Sequence, residues 1–523
     1  MITSKEYTSR KPPVGGNGYS ESITLLSEPL LEFRYAQKVL DPRDGLALFG
    51  PFDSDMPSHP KNITYGLTGT QVGIDLFAEF AKTLQHSIIH ETQSKNSNER
   101  LWPSYPGFEA AFDCSFPEGT SQKSVIEAKS LSEASRNSDP NQRAFDVVKL
   151  YLDAIKDVKR GDENLDVILC IVPEEVYRSC RPKSSIADPI GETVSFTQRK
   201  RRAEGWTELF VDHDLRPYRY SVDFRYQLKA RVLESDDKVP VQIVRESTLR
   251  LNEKPEPGDR GLTPLNDRAW NISTALFYKS GGKPWRLSTA RDGVCYVGLV
   301  YKRTAKIHGD KTACCAAQMF LDSGDGVVLR SNIGPWYSHD TNEFHLSKSE
   351  ASELLTRVLS TYQEQKGKPL REVFLHYRSE INSEEYEAFK SACPADAKVY
   401  AIRVREDRMG VHLYREGKMP ILRGSFWRIN DHMGYLWSAG FKPRLQTYDG
   451  SDTPIPLRIE VQFGEADIYQ VARDILSLTK LNYNECKFGD ANPVTIGFSG
   501  AVGEILVSNP DVKNPDPRFK FYI

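Results

Sequence analysis

The chain runs to 523 residues, which points to roughly two to four domains rather than one. Its 39% hydrophobic share, with 24 Phe, 24 Tyr and 7 Trp, excludes a disordered chain, and no apolar run is long enough to suggest a membrane span. A formal net charge of -2 excludes binding of nucleic acid through overall positive charge, so any phosphate recognition needs a focused site or a basic partner.

Residues 1–30 open with MITSKEYTSRKPPVGGNGYSES, polar and rich in Gly and Pro. Without the apolar core of a secretory signal, this stretch reads as a flexible lead-in to a cytoplasmic protein. The cysteines Cys114, Cys170, Cys180, Cys295, Cys314, Cys315, Cys393 and Cys486 form no C-x-x-C pair and no zinc spacing, and those in apolar runs such as VILCIV read as reduced core thiols. From about residue 141 the pattern alternates. NQRAFDVVKLYLDAIKDV predicts a helix with Phe145, Val148, Leu152 and Ile155 on one face, and LDVILCIVP predicts a strand buried on both sides. A polar insertion at about 181–220 follows. Then come a helix (FRYQLKARVL), a strand (VPVQIVRE) and a helix (NDRAWNISTALFYKS) stopped by Gly281, Gly282 and Pro284. This is a Rossmann-like layer ending near residue 285.

Three apolar runs open the second half: GVCYVGLVYKR, TACCAAQMFLD and GVVLRSN. With SGDG as a hairpin turn, they predict three antiparallel strands. A helix at 348–365, a strand EVFLHYR, a helix started by Asn382 and Ser383 with Glu385 in its first turn, and a strand KVYAIRVRE complete the order βββαβαβ, that of an RNase H-like fold. A further helix, ADIYQVARDILSLTKLNY, and the segment ANPVTIGFSGAVGEILV lead to the final FKFYI. The basic runs QRKRR (198–202) and KPRL (442–445) read as solvated loops.

Four polar residues punctuate the first half. Arg225 and Lys229 share a helix face at i,i+4, Gln242 lies in VPVQIVRE, and Lys279 closes its helix just before GGKPW. Arg supplies a planar fork of donors, Lys a point charge and Gln both a donor and an acceptor, a set suited to a terminal phosphate. This ordered set is similar to the Argonaute MID domain, where such residues hold the 5′-phosphate of a guide strand. The resemblance implies guide binding by Arg225, Lys229, Gln242 and Lys279. It also implies a Mg2+ ion held by Gln242 and a C-terminal carboxylate at Ile523. Arg225 stands where many relatives have Tyr, which leaves the adjacent Tyr226 as a candidate platform for the first base.

The second half resembles a PIWI domain, whose two-metal cleavage needs several carboxylates. In place of an I-G-I-D strand end the sequence has Val297-Gly298-Leu299-Val300, so Val300 stands at the first ligand position. Ser379 replaces the next Asp in His376-Tyr377-Arg378-Ser379, and Gly500 falls at the last ligand position. An α/β chain with a Rossmann-like MID domain (31–285) and an RNase H-like PIWI domain (286–523) without these carboxylates resembles the short prokaryotic Argonautes. That implies guide-RNA-directed binding of single-stranded DNA without cleavage. It also implies a partner carrying an APAZ region and a TIR or sirtuin-like NAD-hydrolysing effector, switched on during infection and assembling into a heterodimer or a larger oligomer. The alternative is a guide-directed nuclease with a displaced set drawn from Asp322, Asp325 and Glu380.

Overall fold

A computed structural model describes residues 23–90, 98–161, 164–186, 216–235, 237–251, 263–303, 313–320, 326–330, 336–337, 344–366, 369–450, 452–508 and 516–523. Near its start, β1 (Ile23–Leu25) pairs antiparallel with Ser425–Trp427 on the edge of a sheet built by the far half of the chain. Glu28 then turns inward, where Arg423 (2.9 Å) and Lys480 (3.0 Å) bind its carboxylate. Residues 23–30 therefore depart from the flexible lead-in expected of them. A three-residue edge strand has too short an alternation to stand out in sequence, and the buried partners of Glu28 lie some four hundred residues away.

The first half begins with α1 (Pro42–Phe49), capped by Asp41, whose side chain accepts from the Arg43 amide. The layer itself starts at β2 (Tyr65–Gly69), buried at every position, and α2 (Gln71–Leu84), capped by Thr70. It continues through β3 (Lys123–Val125), α3 (Pro140–Val158), β4 (Val167–Val172), α4 (Phe224–Val232), β5 (Val241–Arg245) and α5 (Leu265–Lys279). The strands lie in the order β3-β2-β4-β5, all parallel, so β5 forms one edge. The face of α3 differs from expectation: Val147, Val148, Tyr151, Ala154, Ile155 and Val158 are buried, while Phe145 and Leu152 are only partly so. Tyr151 belongs to the inner stripe because its hydroxyl donates to Ile171 O at 2.6 Å, a bond that hydrophobicity alone does not score. Of the insertion at 181–220, only its two ends are described.

The second half builds a nine-stranded sheet, which β1 joins at its edge, and a separate two-stranded ribbon of Trp336–Tyr337 and Phe344–His345. It contains β6 (Val294–Arg303), β7 (Ala313–Phe320), β8 (Gly326–Arg330), β9 (Glu372–Tyr377), β10 (Lys398–Glu406), β11 (Ser425–Arg428), β12 (Met433–Trp437) and β13 (Leu457–Phe463). The order is β1-β11-β12-β13-β10-β9-β6-β7-β8. The three leading strands are antiparallel as expected, and β9 runs parallel to both β6 and β10. Its longer helices are α6 (Lys348–Lys366), α7 (Ser383–Ala392), α8 (Ile468–Leu478) and α9 (Ser499–Val507). A full capping box starts α7, with Asn382 and Glu385 each bonding the other's amide. The SGDG turn lies outside the described residues.

One hydrophobic cluster runs without a break from Leu46 and Phe77 through Trp270 and Trp285 to Ile475 and Phe521. At the junction Leu31–Glu32 pairs with both Lys38–Val39 and Arg286–Leu287. Buried Arg43 ion-pairs with Asp267 and donates to Cys486 O (2.7 Å) and Leu101 O (2.7 Å), tying α1 to both halves. The KPRL run is a solvated loop only in part, since Pro443 and Arg444 are exposed while Lys442 and Leu445 are buried. Lys442 is buried against Asp449 (2.7 Å), and Arg444 reaches Asp44 of α1 (2.5 Å). Cys114, Cys170, Cys180, Cys295 and Cys486 are buried and in no disulfide.

Candidate functional site

A cavity of about 880 Å³ opens beside the β5 edge, walled by α4, β5 and α5 of the first half and by Asn484, Glu485, Phe498, Tyr522 and Ile523 of the second. Arg225, Tyr226, Lys229, Gln242, Lys279 and Ile523 all line it. The fold thus brings together six residues spread over about three hundred positions.

The two lysines differ in setting from ordinary surface cations. Lys279 is 1% exposed; its ammonium donates to Val241 O (2.8 Å) and Ile523 O (2.6 Å). Lys229 donates to Tyr522 O at 3.3 Å. Neither is bonded to an Asp or Glu side chain among the described residues. Burial pushes Lys229 down to about 8, with the Arg225 charge adding to the effect. Burial and the Lys229 charge push Lys279 well below its ordinary value. Among the described residues each ammonium donates to main-chain oxygen rather than to a carboxylate side chain, with Asp223 the acid that acts on Lys229 from nearby.

Arg225 is engaged differently. Asp223, the N-cap of α4, accepts from its Nε (3.2 Å) and Nη2 (2.9 Å), and this bond raises the guanidinium pKa. The guanidinium also lies 5.3 Å from the Tyr226 ring centroid. Asp223 was not singled out from sequence, although an Asp just before a helix start is a capping signal. Gln242 Nε2 makes only a long contact to Ile243 O (3.5 Å), and its Oε1 is buried with no hydrogen-bond partner. A buried acceptor left open in this way is what a cation or a bound donor satisfies. Nearby, Lys520 donates to Lys279 O at 2.9 Å and holds the last residues in place.

The three positions expected to lack metal ligands lie on adjoining elements. Val300 pairs with Ala316 on β7, Ser379 follows the end of β9, and Gly500 sits in the first turn of α9, which packs on β6. Close contact is enforced at Gly298, where a Cβ would stand 2.1 Å from Thr495 O. His376 of β9 is fully buried and bonds Thr495 Oγ1 at 3.0 Å, and burial pushes it down to about 3, so it is neutral. Glu380 is taken up by Arg403 at 2.5 Å, in an ion pair that Glu460 shares. Asp322 and Asp325 lie outside the described residues. Among the described residues no three His, Cys, Asp or Glu gather at metal-binding distance, and no helix is long and apolar enough to cross a membrane.

No protein-family model matches this sequence, and no curated protein matches it. Solved structures match the fold. The structure of Clostridium butyricum Argonaute bound to a guide DNA with a 5′ deoxycytidine and a 19-mer target DNA aligns with a TM-score of 0.61 at 15% identity, over 96% of this chain and 55% of that one. A. aeolicus Argonaute aligns at 0.56 and 14%, over 97% of this chain and 56% of its own. The structure of Aa-Ago with externally bound siRNA gives 0.56 and 14%, over 96% and 56%. The chain therefore spans about half the length of the solved structures it matches. It has an Argonaute-like fold, a Rossmann-like layer of the MID type followed by an RNase H-like sheet of the PIWI type.

Proposed function

We propose that this chain seats the 5′-phosphorylated end of a guide RNA in the cavity and uses the guide to hold complementary single-stranded DNA without cutting it. The observation that carries this reading is the pair of ammonium groups facing the cavity, half-buried Lys229 and buried Lys279, beside the open acceptor of Gln242. A lysine charge held out of water without a hydrogen-bonded carboxylate side chain is costly, and a terminal phosphate of nearly two negative charges reduces that cost on binding. The poor screening that depresses the lysines also strengthens their attraction to an anion. Gln242 Oε1 and Ile523 are the residues that would hold a Mg2+ ion, which supplies further neutralisation of the phosphate. Arg225 lends its remaining donors at the mouth, and Tyr226 lines the same wall.

Absence of cleavage is proposed on the identities of Val300, Ser379 and Gly500, none of which offers a carboxylate. The competing nuclease reading loses support at Glu380, whose carboxylate is committed to Arg403. By likeness to the short prokaryotic Argonautes, the bound target would signal to an APAZ-containing TIR or sirtuin-like partner that depletes NAD in an infected, cytoplasmic setting. The test is co-purification of the tagged chain with whatever accompanies it, then end-labelling of bound nucleic acid before and after phosphatase. Short 5′-phosphorylated RNAs with a second polypeptide support the reading; a nucleic-acid-free monomer overturns it. In the same assay Lys229→Glu abolishes loading while the fold survives.

A further inference from the structure

The corner where a cleaving PIWI domain needs metal ions carries a cation of this chain's own. Arg378 lies one residue past the end of β9 and directly before Ser379. Its neighbours fix the side of the sheet it takes. His376 pairs in register with Gly298 of β6, and both meet Thr495: Gly298 approaches its carbonyl closely, and His376 bonds its hydroxyl at 3.0 Å. Two residues on from His376, alternation puts Arg378 on the same face, where its Nη2 donates to Ile496 O at 3.3 Å. Val300 stands two residues beyond Gly298 on the neighbouring strand, and Gly500 four beyond Ile496. The guanidinium therefore reaches the corner that Val300, Ser379 and Gly500 border.

Arg378 is exposed, and among the described residues no carboxylate lies within ion-pair distance of it. Glu406, the acid whose carboxylate feels its charge, accepts instead from Asn492 (2.8 Å) and Arg408 (2.8 Å). With one bond made, most of the donor fork remains open. Gly500 is exposed too, and a Cβ built on it would meet nothing within 4 Å, so there is room in front of α9. Phe498 and Ala501, on either side of Gly500 in the chain, line the guide-end cavity, so the start of α9 borders both places. A phosphodiester fits this corner: its single charge and two unesterified oxygens match the guanidinium fork. In two-metal cleavage the ions clamp the phosphate of the strand to be cut, which is the target. Resting on the guide-and-target reading above, we propose that Arg378 takes the place of those ions and binds one internal phosphodiester of the DNA target. The corner then holds the target by charge and activates no water.

The experiment titrates the guide-loaded full chain with DNA targets of one sequence, each carrying a single uncharged methylphosphonate linkage at a different position. Guide affinity and unfolding midpoints are measured alongside. Wild type is expected to lose roughly tenfold to hundredfold in target affinity at one internal linkage, the size of one charge-assisted hydrogen bond. Arg378→Gln binds the unmodified target more weakly by that same factor, shows no further loss at that linkage, and loads guide as wild type does. Its slope of target affinity against salt falls by about one phosphate contact, whereas Arg378→Lys keeps the slope. A flat profile in wild type, an Arg378→Gln profile that still dips at the same linkage, or an equal loss of guide affinity overturns the assignment. Wild type that loads no 5′-phosphorylated guide, or loads it and ignores the target, instead overturns the reading beneath it.

Discussion

Replacing Lys229 by Met separates binding from stability in a way few other sites allow. Burial holds the Lys229 ammonium at about 8 against an ordinary 10.5. At 1.36 kcal/mol per pH unit, keeping it charged at neutral pH costs the free protein about 3 kcal/mol. The variant also loses the bond to Tyr522 O at 3.3 Å, worth about 1 kcal/mol. Lys229→Met is therefore expected to be more stable than wild type by about 2 kcal/mol at pH 7, while its affinity for a 5′-phosphorylated strand falls roughly tenfold to hundredfold through loss of a charge-assisted bond. The pH dependence has a definite sign. Between pH 8 and 10.5 the unfolded chain holds a proton at this lysine that the folded chain has released, so wild-type stability rises with pH across that window. The advantage of Met must shrink accordingly. Unfolding of both proteins at pH 7 and 9.5, with and without a phosphorylated oligonucleotide, reads all three effects. A Met variant less stable than wild type at pH 7, or an advantage that does not shrink at pH 9.5, refutes the argument.

Affinity for a 5′-phosphorylated strand should weaken as pH rises through 8, because the lysine that meets the phosphate loses its proton there, and fluorescence anisotropy across pH 7–9.5 checks it. Chelation of divalent ions should weaken the same binding several-fold in wild type and not in Gln242→Leu; equal loss in both would remove Gln242 from the metal proposal. Arg43→Met should destabilise the protein by about 3–5 kcal/mol, since it leaves buried Asp267 without its partner, and thermal melts read the drop. Gly298→Ala should lower the melting midpoint or abolish soluble expression, as the added methyl meets the Thr495 carbonyl.

Sequence pattern was sufficient where it is periodic or carries its own cap. The run VILCIV, the helix opened by Asn382 and Glu385 and the order βββαβαβ all stand as expected. The cavity set was legible through its resemblance to the Argonaute MID set, carried on elements that pattern locates: Arg225 and Lys229 on α4, Gln242 on β5 and Lys279 on α5. The strand Tyr65–Gly69 and helix Gln71–Leu84 went unread. A buried parallel strand of five residues containing two glycines gives no alternation to detect. Long-range pairing was closed to the sequence altogether: that Glu28 meets Arg423 and Lys480, or that Arg444 of a basic run meets Asp44, follows from three-dimensional closure of the core. The ion pair of Glu174 with Arg245 belongs to the same class, spanning seventy-one positions.

Tyr522 and Ile523, which close the cavity, belong to the second half of the chain, while the helix carrying Lys229 lies nearly three hundred residues earlier. A nascent chain can complete its parallel layer and still present only a half-formed cleft, with Lys279 missing one of its two main-chain acceptors. An intact cavity therefore exists only once both halves have been made and have met.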